Sequence, residues 1–174
     1  LHIILAFPNT WFANLEKKGK FNNLDSVTTE IKLMMDPNAD PYAAPAEGAT
    51  ELPSKFGAED IFDLDQHQLM SAYSCTECGR CTSVCPANIT GKKLSPRLIM
   101  MKTRDRLEEV GKNINANSGK FVDDGKKLLN DYITKEELWA CTTCNACVEA
   151  CPVLIDPLSI IFEMRRFLVM EQSA

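Results

Sequence analysis

Apolar residues recur at helical spacing through the part of the chain that follows residue 59. Two segments carry apolar side chains along one face of a helix, PRLIMMKTRDRLEEV and, later, PLSIIFEMRRFLVM. The positions expected to face a core are Leu98, Met101, Leu107 and Val110 in the first segment and Leu158, Ile161, Met164 and Leu168 in the second. No segment shows the two-residue alternation of a half-buried strand. The pattern therefore predicts a mainly α fold.

Capping signals predict two shorter helices. Asp65 with Gln68, and Thr134 with Glu137, have the three-residue spacing of a capping box. These pairs predict helices over QHQLMSAYS and KEELWA, each of which carries an aromatic residue two positions before a cysteine. Between the halves, glycines and asparagines predict a loop, followed by a poorly formed helix around residues 120 to 131.

The two longer helices have matching starts. Ser95-Pro96 and Asp156-Pro157 each supply an N-cap residue followed by a proline in the first turn. We expect the first of these helices to end at Gly111, because glycine is common just past a helix C-terminus.

The first 58 residues have a different character. LHIILAF is apolar from residue 1 and lacks an initiating methionine, so it is either the cut end of something longer or a processed N-terminus that packs on the core. Residues 36–58 hold four of the nine prolines without apolar periodicity, which is typical of a linker or strap. We therefore divide the chain into an irregular N-terminal stub with a Pro/Ala-rich linker over residues 1–58 and a helical domain over residues 59–174.

Charge and hydropathy limit the partners. The formal net charge is -5, whereas phosphate binding needs a basic field, so no nucleic acid partner is expected. No stretch reaches the roughly 18 consecutive apolar residues that span a bilayer, so no membrane span is expected in this chain.

All eight cysteines lie in two runs, CTECGRCTSVCP at 75–86 and CTTCNACVEACP at 141–152. The four cysteines and the following proline of the first run each recur 66 positions later. Three thiolates at this spacing can hold one face of a cubane 4Fe-4S cluster, and in two-cluster proteins the fourth cysteine of each run ligates the other cluster. The repeat therefore predicts two mutually completed cluster sites.

The predicted ligand sets cross between the runs. One 4Fe-4S cluster is assigned to Cys75, Cys78, Cys81 and Cys151, called the first set below. The other is assigned to Cys141, Cys144, Cys147 and Cys85, called the second set. The proline after each fourth cysteine ends the local helix and frees that thiolate to point away.

Other uses of the cysteines fit less well. Structural zinc sites usually consist of two separated Cys-x-x-Cys pairs, whereas each run here is a triplet with a proline-marked fourth cysteine. A disulfide framework would spread its cysteines along the chain, so a reducing compartment, the cytoplasm, is expected. The basic residues around the runs either offset the negative charge of reduced clusters or are solvated: Arg80, Lys92, Lys93, Arg97, Arg165 and Arg166.

With the runs, the 66-residue repeat and the helical flanks, the region from about residue 60 to 172 resembles the alpha-helical ferredoxin domain. This domain occurs in the C subunit of heterodisulfide reductase and in the iron-sulfur subunits of succinate dehydrogenase and fumarate reductase. The heterodisulfide reductase type is the more similar, because residues 1–74 lack the cysteines of the 2Fe-2S domain that the succinate dehydrogenase type carries upstream.

The resemblance implies an electron-transfer module that relays single electrons between a membrane quinol or haem b module and a CCG-type catalytic partner. Related glycolate oxidase and glycerol-3-phosphate dehydrogenase subunits carry CCG domains themselves; no such domain follows here, so a separate partner is expected. The stub LHIILAFPNTW resembles the junction after a haem b membrane domain, which implies a location in the cytoplasm or at the cytoplasmic face of the membrane.

The sequence offers no substrate site. It contains no GxGxxG or P-loop run for a nucleotide, and no Ser/His/Asp or paired-carboxylate constellation stands out, so no catalytic residues are assigned. The rival hypothesis is an iron- or redox-sensing interaction module, in which loss of a cluster unfolds the domain. A sensor would need an output domain, and none is recognisable in this sequence.

Overall fold

The computed structural model of the chain describes residues 2–13, 23–36 and 55–173. Nine α-helices lie in these residues: α1 His2–Phe12, α2 Asp25–Met35, α3 Gln66–Ser74, α4 Arg80–Ser83, α5 Pro86–Ile89, α6 Pro96–Ala116, α7 Lys135–Trp139, α8 Ala146–Glu149 and α9 Pro157–Met170. A short 3-10 helix covers Ile61–Asp63. The described part of the chain contains no β-strand, only an isolated bridge between Leu129 and Ile133. The predicted mainly α class is therefore confirmed.

The two long helices form the centre of the core. Helix α6 contacts α3, α9 and the 3-10 helix, and α9 also contacts α7 and α8. All four positions predicted for the core face of α9 are buried, namely Leu158, Ile161, Met164 and Leu168. The short helices α4 and α8, which lie within the two cysteine runs, contact each other. The two halves are therefore joined at the runs themselves.

The buried face of α6 differs from the predicted one. Its fully buried side chains are Ile99, Met100, Thr103, Arg106 and Val110, whereas Leu98 and Met101 are only half-buried. The true face passes through Thr103 and Arg106, two polar residues that satisfy their hydrogen bonds inside the protein. Of the four predicted positions, Val110 is fully buried and Leu107 packs partly buried against the core, whereas Leu98 and Met101 are displaced from the buried face by Ile99 and Met100.

The end of α6 and the loop after it also differ from the prediction. Helix α6 continues through Gly111, where nothing lies close to the position of a β-carbon, and ends at Ala116. Ile114 packs against the core, which extends the helix past the glycine. Residues 120–127 are not helical, and the poorly formed helix expected around residues 120 to 131 is reduced to a π-helical turn at Leu128–Tyr132, which non-helical backbone angles at Leu129 and Asn130 interrupt.

The capping boxes at Asp65 with Gln68 and at Thr134 with Glu137 are present as predicted. Asp156 caps α9 by accepting hydrogen bonds from the backbone N–H groups of Leu158 and Ser159. The remaining cap is different. Ser95 occupies the N-cap position of α6, but its hydroxyl contacts Thr82 Oγ1 at 2.8 Å instead of a backbone N–H of the helix.

The N-terminal extension, which the sequence left irregular, contains helices α1 and α2. Helix α1 packs on α3 through Asn9, which is fully buried. Its side-chain N–H donates to the carbonyl of Val153 at 3.1 Å, and its side-chain oxygen accepts from Ser71 Oγ at 2.7 Å. The linker expected from the sequence lies mostly outside the described residues, so the division at residue 58 stays a prediction.

The segment just before the first half packs tightly on α9 at Gly57. A β-carbon at this position would lie 2.3 Å from the carbonyl oxygen of Glu163 and 2.4 Å from the backbone nitrogen of Phe167, and the glycine has a φ of +73°. We therefore expect Gly57→Ala to destabilise the protein by about 2 to 4 kcal/mol through overpacking and backbone strain. Urea unfolding followed by circular dichroism measures the change.

The matched control for this prediction is Gly91→Ala. Gly91 has a similar φ of +81°, but nothing lies within 4 Å of the position of its β-carbon. This variant keeps the backbone strain without the collision, so it should cost only about 1 kcal/mol. Equal losses in the two variants would show that the contact with α9 is not responsible.

Candidate iron-sulfur site

The two cysteine runs fold into equivalent loops. Glu77 and Gly79 of the first run have positive φ values of 58° and 80°, and Thr143 and Asn145 of the second run have 57° and 60°. This repeated left-handed backbone turns successive N–H groups toward one side of each loop, which is a common way to surround an anionic group. The same local sequence spacing therefore produces the same loop twice.

Backbone N–H groups of these loops bond to cysteine sulfurs. Thr143 N donates to Cys141 Sγ at 3.4 Å, and Ile155 N donates to Cys151 Sγ at 3.4 Å. In the first run, the N–H of Glu77 bonds to Cys75 in the position equivalent to Thr143. Such bonds stabilise thiolates and are one of the factors that set cluster potentials.

One cavity is lined by cysteines of both runs. It opens to solvent and is lined by Cys75, Cys78 and Cys81, together with Cys151 from the other run. The cavity therefore brings together the four residues that the sequence assigned to the first set.

Cysteines of the second set lie close enough to one another to interact electrostatically. Burial is the main cause that raises the pKa of Cys141, and Cys85 and Cys144 lie close enough to raise it further by their charge. Cys141 adds in the same way to the effect of burial on the pKa of Cys147. Cys85 is buried, whereas Cys144 is exposed. Among the residues that the structure describes, no group of three or more His, Cys, Asp or Glu side chains is arranged to hold a single metal ion.

The chemistry of the donors fits two iron-sulfur clusters. All eight cysteines are free thiols, and thiolates are the ligands that iron-sulfur clusters prefer. Burial raises the pKa values of Cys75, Cys81 and Cys141, and raises the pKa of Cys147 to about 12. Because metal ligation needs thiolates, cluster binding must release these protons. When bound, each cluster supplies one-electron redox chemistry.

An arginine from each long helix supports the loop of its own half; the sequence named Arg165 among the basic residues near the runs but missed Arg104. Arg104 of α6 forms an ion pair with Glu77, and Arg165 of α9 donates to the carbonyl oxygens of Leu138 at 2.5 Å and Cys141 at 2.6 Å. Arg104 and Arg165 both lie eight residues after the proline that starts their helix. Comparison of the two helices from their prolines would have found this pair.

The aromatic residues before the runs are not equivalent. Tyr73 is half-buried, whereas Trp139 is 49% exposed with the guanidinium of Arg165 5.1 Å from its ring centre. Trp139 is therefore less enclosed than Tyr73, although the two residues hold the same position relative to their runs.

The basic residues named from the sequence fall into different surroundings. Arg80 and Arg97 line the cavity of the first set. Arg165 lies at Cys141, and Lys93 pairs with Glu136 on the surface. Arg166 pairs with Glu163, and Lys92 is exposed. Only three of the six therefore lie at cysteine residues.

No helix within the described ranges has both the length and the apolarity needed to cross a bilayer. Two family models, each described as a 4Fe-4S dicluster domain, match residues 74–155 and 42–90 of the chain. No solved structure matches it.

Three curated relatives are named as oxidoreductases or as similar to a reductase subunit, and one of them is named as iron-sulfur-binding. The probable iron-sulfur-binding oxidoreductase FadF of Bacillus subtilis is 33% identical, over 99% of this chain and 25% of its own length. The EtfAB:quinone oxidoreductase of Syntrophomonas wolfei is 34% identical over 68% of this chain and 19% of its own length. A protein of Archaeoglobus profundus, named for its likeness to the C subunit of heterodisulfide reductase, is 33% identical over 71% and 53% respectively.

The chain thus spans a quarter or less of the first two relatives and about half of the third. The matched domains, together with the eight cysteines, support two 4Fe-4S clusters and a function in electron transfer. The chain belongs to the family of 4Fe-4S dicluster ferredoxins that includes the C subunit of heterodisulfide reductase.

Proposed function

We propose that the chain relays single electrons between a membrane quinol or haem b module and a soluble CCG-type catalytic partner of a heterodisulfide-reductase-like complex. It would do so in the cytoplasm or at the cytoplasmic face of the membrane. The observation that carries the proposal is the pair of equivalent loops, each of which exposes one cysteine, Cys78 in the first and Cys144 in the second. A relay needs two accessible cluster edges, one for a donor and one for an acceptor.

Two kinds of relative support the two ends of the relay. One is named as a quinone oxidoreductase, which fits a quinol donor. Several are named as C subunits of heterodisulfide reductases, which fits a catalytic partner elsewhere in a complex.

Helix α1 supports a docking position beside the first set. It packs on α3, which leads directly into Cys75. Its other side exposes large apolar side chains, each at least two-thirds accessible: Ile3, Ile4, Phe7, Trp11 and Phe12. Such an aromatic-rich apolar face is suited to a membrane module.

The crossed ligand sets are part of this proposal. The cavity at Cys75, Cys78, Cys81 and Cys151 supports the first set, and the proximity of Cys85 to Cys141 supports the second. In this arrangement each half completes the site of the other, so both clusters sit in one cooperative unit.

Iron and acid-labile sulfide analysis of anaerobically purified protein tests the proposal, followed by EPR after reduction with dithionite. We expect about eight iron per chain, four for each cluster, and S = 1/2 signals from two interacting clusters. Stoichiometric zinc without sulfide, persisting after reconstitution with iron and sulfide, would contradict it.

The membrane half of the proposal has its own test. In membranes that hold the native complex, a reduced quinone analogue should generate the EPR signals that dithionite generates. Intact iron content with no reduction by quinol would contradict a quinol donor while leaving the clusters established.

A further inference from the structure

The two halves of the repeat have the same order of cysteine loop and long helix, but they differ in charge at equivalent positions. Helices α6 and α9 both begin with a proline, Pro96 and Pro157. The residue directly after the proline is Arg97 in α6 and Leu158 in α9. Within the runs, Arg80 of the first corresponds to Ala146 of the second, 66 positions later. At both positions the first half carries a cation and the second half carries an aliphatic side chain.

Both extra arginines lie at the first set. Arg80 and Arg97 line the cavity that Cys75, Cys78, Cys81 and Cys151 share. The Nε of Arg97 is buried and has no hydrogen-bond partner among the residues that the structure describes. A buried guanidinium N–H without a partner is costly, so its position at a cavity wall indicates an acceptor inside that cavity.

The other charges near the two sets do not reverse this difference. Arg104 acts electrostatically on Cys75, but its charge is offset by the ion pair with Glu77. Arg165 acts electrostatically on Cys141 of the second set, and its hydrogen bonds to neutral carbonyl groups leave its charge in place, so one cation there stands against Arg80 and Arg97 at the first set. The carboxyl of Asp156, which occupies the position of Ser95 in the other half, acts electrostatically on Cys147 of the second set.

We propose that Arg97, assisted by Arg80, holds the reduction potential of the cluster at the first set above that of the cluster at the second set. An electron added to the oxidised protein then resides mainly at Cys75, Cys78, Cys81 and Cys151. This inference rests on the proposed function, because it assumes two clusters in the crossed ligand sets.

The physical reason is that reduction adds one negative charge to a cluster bound by four thiolates. A cation at the cavity wall stabilises that added charge more than it stabilises the oxidised form, and a hydrogen bond to sulfur acts in the same direction. The Nε of Arg97 is buried, so solvent screens its charge less than the charge of Arg80, which is exposed and contributes less. Arg97 is therefore a positioning residue for the electron and takes no part in a bond-making step.

Anaerobic EPR-monitored redox titration of the full chain, with dithionite as the electron source, tests the inference. In Arg97→Gln, the higher of the two midpoint potentials should fall. At a fixed potential, the ratio of reduced to oxidised cluster should then drop about tenfold, which corresponds to about 59 mV for one electron. The lower midpoint should stay in place. Arg97→Lys keeps the charge and should recover part of the shift.

The matched control is Lys112→Gln, which removes the same charge from an exposed position on the same helix. It should leave both midpoints unchanged. An equal shift in the control, or a shift of the lower midpoint in Arg97→Gln, would overturn the inference. Iron and sulfide contents are measured on every variant, so a failure of the two-cluster proposal is visible separately.

A reciprocal variant keeps the inference testable if Arg97→Gln loses its cluster. Ala146→Arg introduces into the second half the cation that Arg80 supplies to the first. Ala146 is half-buried, so the long side chain has access to solvent. This variant should raise the lower midpoint and narrow the gap between the two. An unchanged gap with full iron content would contradict the role of these arginines.

Discussion

Replacing Cys85 with serine is expected to damage the cluster at Cys141, Cys144 and Cys147, although Cys85 lies in the other run. In the crossed assignment Cys85 is the fourth ligand of the second set, and it acts electrostatically on Cys141. Loss of one of four thiolates should remove that cluster or convert it to a form with fewer iron atoms, lowering the iron content from about eight to between about four and seven per chain. The first set keeps its four thiolates, so its cluster should be the one that remains, in a domain that is less stable because the two sites form one cooperative unit.

The reverse variant, Cys151→Ser, should damage the cluster at Cys75, Cys78 and Cys81. Iron content and EPR of the reduced protein distinguish the two outcomes when compared with Cys75→Ser and Cys141→Ser, which report the loss of each cluster from within its own run. Ser83→Ala, an exposed change inside the first run, should leave both signals intact. If Cys85→Ser reproduces the spectrum of Cys75→Ser, the ligand sets are not crossed.

The sequence predicted the parts of this protein that depend on local spacing. The cysteine runs predicted two clusters because ligation of a cubane constrains residues only three or four positions apart. The capping boxes at Asp65 and Thr134 were predicted correctly for the same reason, since a cap links residues three positions apart. The ligand pairing also came from a family pattern, and it stays a prediction.

The features that sequence reasoning missed depend on distant contacts. The buried face of α6 includes Arg106 because Asp60 and Asp124, 46 and 18 positions away, neutralise it. The docking of α1 depends on Asn9, whose partners Ser71 and Val153 lie 62 and 144 positions away. The hydropathy of a single residue gives no information on partners that lie far away in the sequence. A sequence-based prediction therefore places a buried polar residue on the surface.

The two halves have nearly the same backbone in their cysteine loops but different side chains around them. The backbone turns at Glu77 and Thr143 are nearly identical, because both loops must present N–H groups to sulfur. The charged side chains around the loops differ, as Arg97 and Leu158 illustrate. Ligation therefore fixes the loop, whereas side chains outside it can give two similar clusters different potentials.

Arg106→Met is expected to destabilise the fold by about 3 to 5 kcal/mol, because Arg106 is the central residue of a buried ion-pair network. Its side chain is fully buried. It donates to the carboxylate groups of both Asp60 and Asp124 and, at 2.5 Å, to the carbonyl of Lys126. Methionine fills much of the same volume but removes the cation that joins two partly exposed carboxylates and the donor to the carbonyl of Lys126, so three charge-assisted contacts are lost at once.

The same network explains where the damage should spread. Asp60 also accepts from the backbone N–H groups of Ile61 and Leu128, so it joins the 3-10 helix, α6 and the turn before α7. Urea unfolding of the cluster-loaded protein, followed by circular dichroism, should therefore show a lower midpoint in Arg106→Met, together with faster loss of visible cluster absorbance. Lys112→Met makes the same charge change at an exposed site of α6 and should change the free energy of unfolding by less than about 0.5 kcal/mol. Similar losses in both variants would show that the helix charge, and not the buried network, determines stability.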